Sequence, residues 1–386
     1  MDFQFTEEQK QLRDVLDRFI AKEYGFETRR QIVKEPLGFR RATWEKFAEL
    51  GLLGLTIPEA HGGFGGGAVD TLLVMEAFGR GLVVEPYLSS VVLSGGLLRE
   101  LGNEAQKSEL LPAIAAGQKL FAFAHYEQGS RYELEHVSAR AARKGPAQYA
   151  LTGKKTVVLH GGSADRFIVS ARTSGEAGDA EGISLFLVDA RAPGVSLRDY
   201  PTQDGQRAAE VALDAVTVAD EARLGEEGRA LPGIERVVDF AIAALCAEAV
   251  GCMGALNAQT LEYVKTRKQF GVPIGKFQVL QHRMADMFIH TEQARSMSYL
   301  AAVKVHASDP AERRRALSAA KALVGQSSRF VGQQAIQLHG GMGVTDELEV
   351  SHHFKRLTAI NLTFGDAEHH LARFSDQMER RGRVDG

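Results

Sequence analysis

Cysteine is almost absent from this chain. Only Cys246 and Cys252 occur, six positions apart in one apolar segment, a spacing that fits neither a redox pair nor a zinc knuckle. Both read as buried free thiols. An excess of either charge is lacking too: 46 Lys and Arg stand against 49 Asp and Glu, a formal net charge of -3, which gives no electrostatic reason to expect nucleic acid. Long hydrophobic runs are missing. The most apolar stretch, Val237 to Cys252, is interrupted by Asp239 and Glu248 and is shorter than the roughly 20 residues a bilayer span needs. It reads as a bundle helix, with no membrane span expected. The opening Met1-Asp2-Phe3-Gln4-Phe5-Thr6-Glu7-Glu8 is acidic and shows no basic region followed by an apolar one, so a cytoplasmic location is expected. Internal repeats and low-complexity tracts are also absent.

What is present is a chain of 386 residues, long enough for two or three domains. Thr6 followed by Gln9 reads as a capping box, and Leu12, Val15, Leu16, Phe19 and Ile20 recur on one helical face. Helical patterning continues through Trp44, Phe47, Leu50, Leu52 and Leu53, then stops at Ile57-Pro58-Glu59 and the glycine run 62–67. That run lacks the Gly-Lys-Ser/Thr ending of a phosphate loop and reads as a turn. From Asp70 to Ala116 the pattern stays helical, interrupted at Glu85-Pro86-Tyr87. Near Phe121 it changes to short β-type runs at 149–152, 156–159, 167–170 and 184–188. Pro232 then opens a helical region with segments at about 232–266, 276–307, 311–338 and 346–380, lengths that point to an antiparallel four-helix bundle.

One cluster breaks this helical pattern. Arg267-Lys268-Gln269-Phe270-Gly271 puts a cation, an amide and an aromatic ring together. Alone it is either a solvated helix end or a grip on a cofactor. Its companions decide: Trp44 to Gly63 reads W-E-K-F-A-E-L-G-L-L-G-L-T-I-P-E-A-H-G-G, Leu151-Thr152-Gly153-Lys154-Lys155 runs on to Gly161-Gly162, and Q-L-H-G-G-M-G occupies 337–343. Four dispersed motifs in this order resemble the acyl-CoA dehydrogenase family over nearly the whole chain.

The resemblance implies a mostly α fold with an inserted β domain: a helical domain at 1–118, a β-barrel-like domain at 119–228 and the four-helix bundle at 229–386. It implies FAD and the removal of two hydrogens from an acyl-CoA thioester. A carboxylate takes the α proton, hydride leaves to the flavin, and a ribityl hydroxyl with a backbone N–H polarises the thioester oxygen. Electron-transfer flavoprotein is the implied acceptor, and a tetramer the implied assembly. For the cofactor the matching residues are Arg267, Gln269, Phe270, Ile274, Gln278, Gln337, Gly340 and Gly341, with Phe123, Gly129 and Ser130 from the β domain. Arg267 can fork onto a diphosphate and Phe270 offers a face to adenine. Gly340, Gly341 and Gly343 would let backbone N–H groups approach closely. In the family this grip holds the ADP part of a flavin bound mainly by the adjacent subunit.

Departures from the family lie on the reacting side. The segment that usually carries the catalytic glutamate reads Phe364-Gly365-Asp366-Ala367, with Gly365 at the glutamate position; the alternative position on the preceding helix is Ala241. Asp366 is either a substitute base or an N-cap for the last helix. The flavin face reads Ala124-His125-Tyr126-Glu127-Gln128-Gly129-Ser130 and Val157-Val158-Leu159-His160-Gly161-Gly162, without the usual threonines and tryptophan. With Gly79 to Tyr87 and 364–371, this pattern resembles the small subunit of heteromeric members of the pimeloyl-CoA dehydrogenase type. A glutamate-bearing paralogous partner is then expected. The alternatives are a self-sufficient homotetramer using Asp366 or another base, and a non-enzymatic assembly protein. No metal is expected: the pairs His352-His353 and His369-His370 point to different helix faces, and no carboxylate or cysteine shares their spacing. Glu248, in an apolar helix, needs a buried partner and is either an inter-helix pair or a site residue.

Overall fold

The computed structural model describes residues 4–384, with side chains through residue 378. The chain folds into two compact units that do not follow the order of the sequence: Met1–Gln31, Ala68–Val83 and Ile242–Gly386 form one, Ile32–Gly67 and Val84–Ala241 the other.

The first unit is helical. It contains α1 (Glu7–Glu23), α4 (Ala68–Gly81), most of α7 (Leu231–Thr266), α8 (Gln278–Lys304), α9 (Pro310–His339), α10 (Glu349–Leu362) and α11 (Ala367–Val384). The capping box at the start of α1 is formed, with the Gln9 N–H donating to Thr6 Oγ1 and the Thr6 N–H to Gln9 Oε1. Helix α7 is long and apolar, and its most apolar window is 89% buried within the protein. Against α4 it packs through glycine. A Cβ on Gly79 would lie 1.9 Å from the Glu248 carbonyl oxygen, and one on Gly251 2.0 Å from that of Glu76. Cys252 Sγ uses the close approach to donate to the Gly79 carbonyl at 3.1 Å, and both cysteines are buried and unpaired with each other. Glu248 is the inter-helix pair: its oxygens accept from Arg356 Nε and Nη2 of α10 at 2.5 and 2.8 Å.

The segment expected as one final helix is two. Between α10 and α11 the backbone turns left-handed at Phe364 (φ 59°) and Gly365 (φ 109°), so helical hydrogen bonding cannot run through. The apolar spacing on both sides gave no sign of the break.

The second unit joins short helices, α3 (Arg41–Glu49), α5 (Gly95–Leu101) and α6 (Glu104–Ala115), to an eight-stranded sheet. Between them, where Glu85-Pro86-Tyr87 interrupts the helical pattern, lies a π-helical turn over Tyr87–Ser94. The strands are β1 (Phe121–Ala124), β2 (Arg140–Arg143), β3 (Gln148–Leu159), β4 (Arg166–Arg172), β5 (Ile183–Asp189), β6 (Val195–Pro201), β7 (Arg207–Ala219) and β8 (Arg223–Leu224). They run in the order β6-β7-β3-β2-β4-β5-β8, with β1 parallel to β4. The two runs expected at 149–152 and 156–159 are one long strand, because β7 pairs along both. Tyr149, Leu151 and Val158 of β3 fill the core with Phe167, Val169, Phe186 and Val211. A register shift between Lys155 and Val158 bulges β3 just after the fully buried Lys155, and Val157 in the bulge, at φ 51°, is 52% exposed.

Replacing Glu248 with alanine takes the carboxylate away from the buried Arg356 guanidinium, which should lower unfolding stability by about 3–5 kcal/mol in urea titration. The double replacement Glu248→Met with Arg356→Leu should recover most of that loss.

Candidate functional site

The cationic and aromatic cluster belongs to the first unit. Helix α7 ends at Thr266, and a two-stranded hairpin follows, β9 (Lys268–Gln269) against β10 (Val272–Pro273). Its turn residues, Phe270 (φ 54°) and Gly271 (φ 79°), are both left-handed, the requirement of a type I′ turn. Glycine accepts that conformation freely and phenylalanine does not, yet the Phe270 ring is held 91% exposed. The Ile274 N–H closes the hairpin on the Arg267 carbonyl at 2.9 Å. Phe277 meets Phe270 edge-on, centroids 6.1 Å apart.

Two contacts carry the hairpin to the end of α9. The Tyr263 ring stacks on His339 at 4.3 Å, and its hydroxyl donates to the His339 carbonyl at 3.3 Å. Directly after His339 the chain turns at Gly340 (φ 59°) into a 3-10 turn, Gly340–Val344. A Cβ on Gly340 or Gly341 would meet nothing within 4 Å, so this turn is an open cradle. Arg267, Gln269, Gln278 and Gln337 are all exposed in the same unit, and Ile274 is half-buried. Gln337 also lines a cleft of ≈ 230 Å³ with Val279, Leu280, Arg283 and Leu338. Gly343 differs from its neighbours. It is buried, and a Cβ there would strike the Ile336 carbonyl at 2.6 Å, so this glycine serves packing within the protein and not close approach to a ligand.

In the second unit, Phe123 is largely buried at 9% exposure and stacks on His125 at 5.0 Å. Gly129 (φ 91°) opens onto free space. Ser130 is turned inward, its hydroxyl donating to the Glu127 carbonyl at 2.9 Å, so it holds the loop together. Behind the loop lies a buried network that the sequence motifs do not announce. Lys155, 0% exposed, donates to Glu127 Oε1 (2.6 Å), Ser170 Oγ (2.9 Å) and the His125 carbonyl (3.1 Å). Glu127 also accepts from the Ser138 and Ala139 N–H groups, and His125 Nδ1 lies 3.0 Å from Ser170 Oγ. Burial pushes the Lys155 ammonium down to about 8, with Glu127 opposing. Burial works on Glu127 in the other direction, but the Lys155 charge and the hydrogen bonds hold its carboxyl below the ordinary range. The signal available was parity: Tyr149, Leu151 and Lys155 share the inward side of β3.

No carboxylate occupies either position considered for the base. Ala241 is a fully buried alanine. At 365 the glycine carbonyl accepts from Lys321 Nζ at 2.7 Å, and the same ammonium donates to the carbonyls of Ile360 and Asn361, both at 2.9 Å. Lys321 is buried and pushed down to about 8 by that burial; its spacing from Leu317 and Val324 marks the inward face of α9. Asp366 Oδ1 accepts from the His369 N–H at 2.8 Å, the bond of an N-cap on α11.

An open glycine cradle beside a bare aromatic turn and a row of exposed amides suits a protein that holds a large dinucleotide cofactor by its nucleotide end. Comparison with known proteins narrows the class. Residues 6–118 match the acyl-CoA dehydrogenase N-terminal domain, 122–216 the middle domain and 234–378 the C-terminal domain. The chain is 30% identical over 370 residues to the caffeyl-CoA reductase-Etf complex subunit CarC of Acetobacterium woodii, covering 94% of this chain and 96% of that one. Among solved structures it resembles butyryl-CoA dehydrogenase from Megasphaera elsdenii, with a TM-score of 0.89, 26% identity, and 98% and 100% of the two chains covered. It is also similar to the ChsE4-ChsE5 complex from Mycobacterium tuberculosis, with a TM-score of 0.87, 27% identity, and 98% and 99% covered. The chain belongs to the acyl-CoA dehydrogenase family, oxidoreductases that use FAD. The first unit fits the ADP portion of that cofactor, since the Gly340-Gly341 cradle has room that a side chain would fill. FAD, when bound, supplies the acceptor for an electron pair.

Phe270→Gly should relieve the left-handed strain and raise stability by about 1 kcal/mol in urea titration. Losing the ring should weaken FAD retention by about threefold to tenfold in a flavin titration. Acid should act on the buried imidazoles, two of them above all. Burial, then the Lys155 charge, pushes His125 down to about 3, and burial, then Lys321, does the same to His370. An unfolded chain protonates both rings below about pH 6.5, whereas the folded chain resists until about 3. Their contribution is therefore complete above pH 6.5 and is lost as pH falls toward 3, by up to about 1.4 kcal/mol per pH unit for each ring. Denaturation curves between about pH 4 and 7 check the slope, which should be shallower in His125→Gln.

Proposed function

We propose that this chain is the subunit without a catalytic base in a heteromeric, FAD-dependent acyl-CoA dehydrogenase, acting in the cytoplasm. It lends its Arg267 hairpin and Gly340 cradle to the ADP end of a flavin whose reacting ring is served by a glutamate-bearing partner. The complex oxidises an acyl-CoA thioester to the 2-enoyl-CoA and passes the electrons to electron-transfer flavoprotein. One observation carries the reading: the Gly365 turn offers no carboxylate, and the only acid beside it, Asp366, is used as a helix cap. Elsewhere in the same unit the nucleotide side remains built and open, with Phe270 exposed and Gly340 and Gly341 unobstructed. The exposed Val157 on the bulge of β3 offers no hydroxyl to a flavin ring, which fits a site completed elsewhere. Similarity to the ChsE4-ChsE5 complex and to a subunit of an Etf-containing complex supports both kinds of partner.

The test is expression of the chain alone and together with a glutamate-bearing family member. The pair should co-purify yellow, and an acyl-CoA should bleach its flavin. Asp366→Asn in this chain should change that rate by less than about twofold, because asparagine caps a helix as well as aspartate does. Full flavin content and sustained turnover from the lone chain would overturn the proposal.

A further inference from the structure

Position 365 is where a base would have to stand, and its surroundings determine whether one can. A Cβ built on Gly365 would lie 2.6 Å from His370 Nε2, 2.7 Å from His369 Cδ2 and 2.9 Å from His370 Cδ2. All three distances are below what real Cβ atoms show. The backbone adds a second obstacle, because a φ of 109° is essentially reserved for glycine.

Nor is His370 free to move aside. It is 1% exposed, its Nε2 donates to the Phe364 carbonyl at 2.9 Å, and its Nδ1 lies 3.4 Å from Ser318 Oγ. Both ring nitrogens face the protein, so the imidazole is a wall of the turn and not a replacement base. Lys321 closes the other side. Its ammonium has three protons, and all three go to carbonyls: those of Ile360, Asn361 and Gly365. Rotating the Gly365 peptide to ease the Cβ contact would leave a buried ammonium proton unpaired, which replaces one cost with another.

We infer that His370 and Lys321 seal the Gly365 turn, so that this chain cannot gain a working carboxylate there by substitution and its site takes the base from another subunit. The second half of that statement rests on the proposed function above; the sealed turn stands on the packing alone.

The experiment is a double-substitution cycle on the full chain, read by thermal melting. Gly365→Ala should lower the melting temperature by about 5 °C or more. In a His370→Ala background, where the His370 ring is gone while His369 and the left-handed φ remain, the same change should cost measurably less. Gly365→Glu, loaded with FAD and given an acyl-CoA, should bleach its flavin no faster than the unsubstituted chain. A shift within about 1 °C for Gly365→Ala, an equal cost in both backgrounds, or rapid bleaching by Gly365→Glu overturns the sealed turn. The alanine cycle decides the matter even where Gly365→Glu does not fold. Turnover by the unsubstituted lone chain would defeat the heteromeric reading and leave the cycle untouched, whereas a thermally neutral Gly365→Ala would defeat the sealed turn and leave that reading in place.

Discussion

Buried charge has to find a partner, and that requirement shapes both units more than any apolar pattern does. A cation taken out of water is tolerated only where acceptors replace its hydration. Arg356 reaches Glu248 across the helices of the first unit. Lys155 reaches Glu127 inside the sheet. Lys321 has no carboxylate among its hydrogen-bond acceptors and uses three backbone carbonyls. Arg172, 1% exposed, goes further and donates to the carbonyls of Val137, Glu135, Asp179 and Glu181. The Glu248–Arg356 pair ties two helices together, whereas the Lys155, Lys321 and Arg172 clamps each hold a segment that regular secondary structure fixes only in part or not at all.

Where the clamps fall is informative. One holds the His125 to Ser130 loop and another the Gly365 turn, the two places where the family resemblance leads one to look for the reacting half of the site. The nucleotide half is built differently, from a hairpin with a strained turn and from glycines facing open space. Rigid protein fills the first pair of positions, and a surface waiting for a ligand makes up the second. This division within one chain is the observation from which the heteromeric reading is proposed.

Much of this was legible from residue order. The helical periodicity of α1, α7, α8 and α9, the capping box at Thr6 and the change to strand patterning near Phe121 all depend on local chemistry, and local chemistry is what a sequence displays. So was the pairing need of Glu248, because an acid in an apolar helix has few other fates. The break between α10 and α11 showed only in the capping chemistry of Asp366 and not in the apolar spacing, since the left-handed turn at Phe364 and Gly365 is held by Lys321 and His370, one of them far away in the chain. The bulge in β3 depends on how β7 lies against it, which no window of β3 contains. Gly343 was misread for a related reason: a glycine needed for packing and a glycine needed for a ligand look identical until the neighbouring carbonyl is placed.

The left-handed Phe270 has a thermodynamic consequence. Because the hairpin closes on itself through Arg267 and Ile274, the backbone that carries the ring is already set before any ligand arrives. Binding then has only the side chain left to order, and the backbone entropy that a floppy loop would surrender at the moment of contact has been spent once, during folding. A cofactor meeting such a surface should gain its affinity through slow departure, with the strained turn acting as stored preorganisation carried by the empty protein.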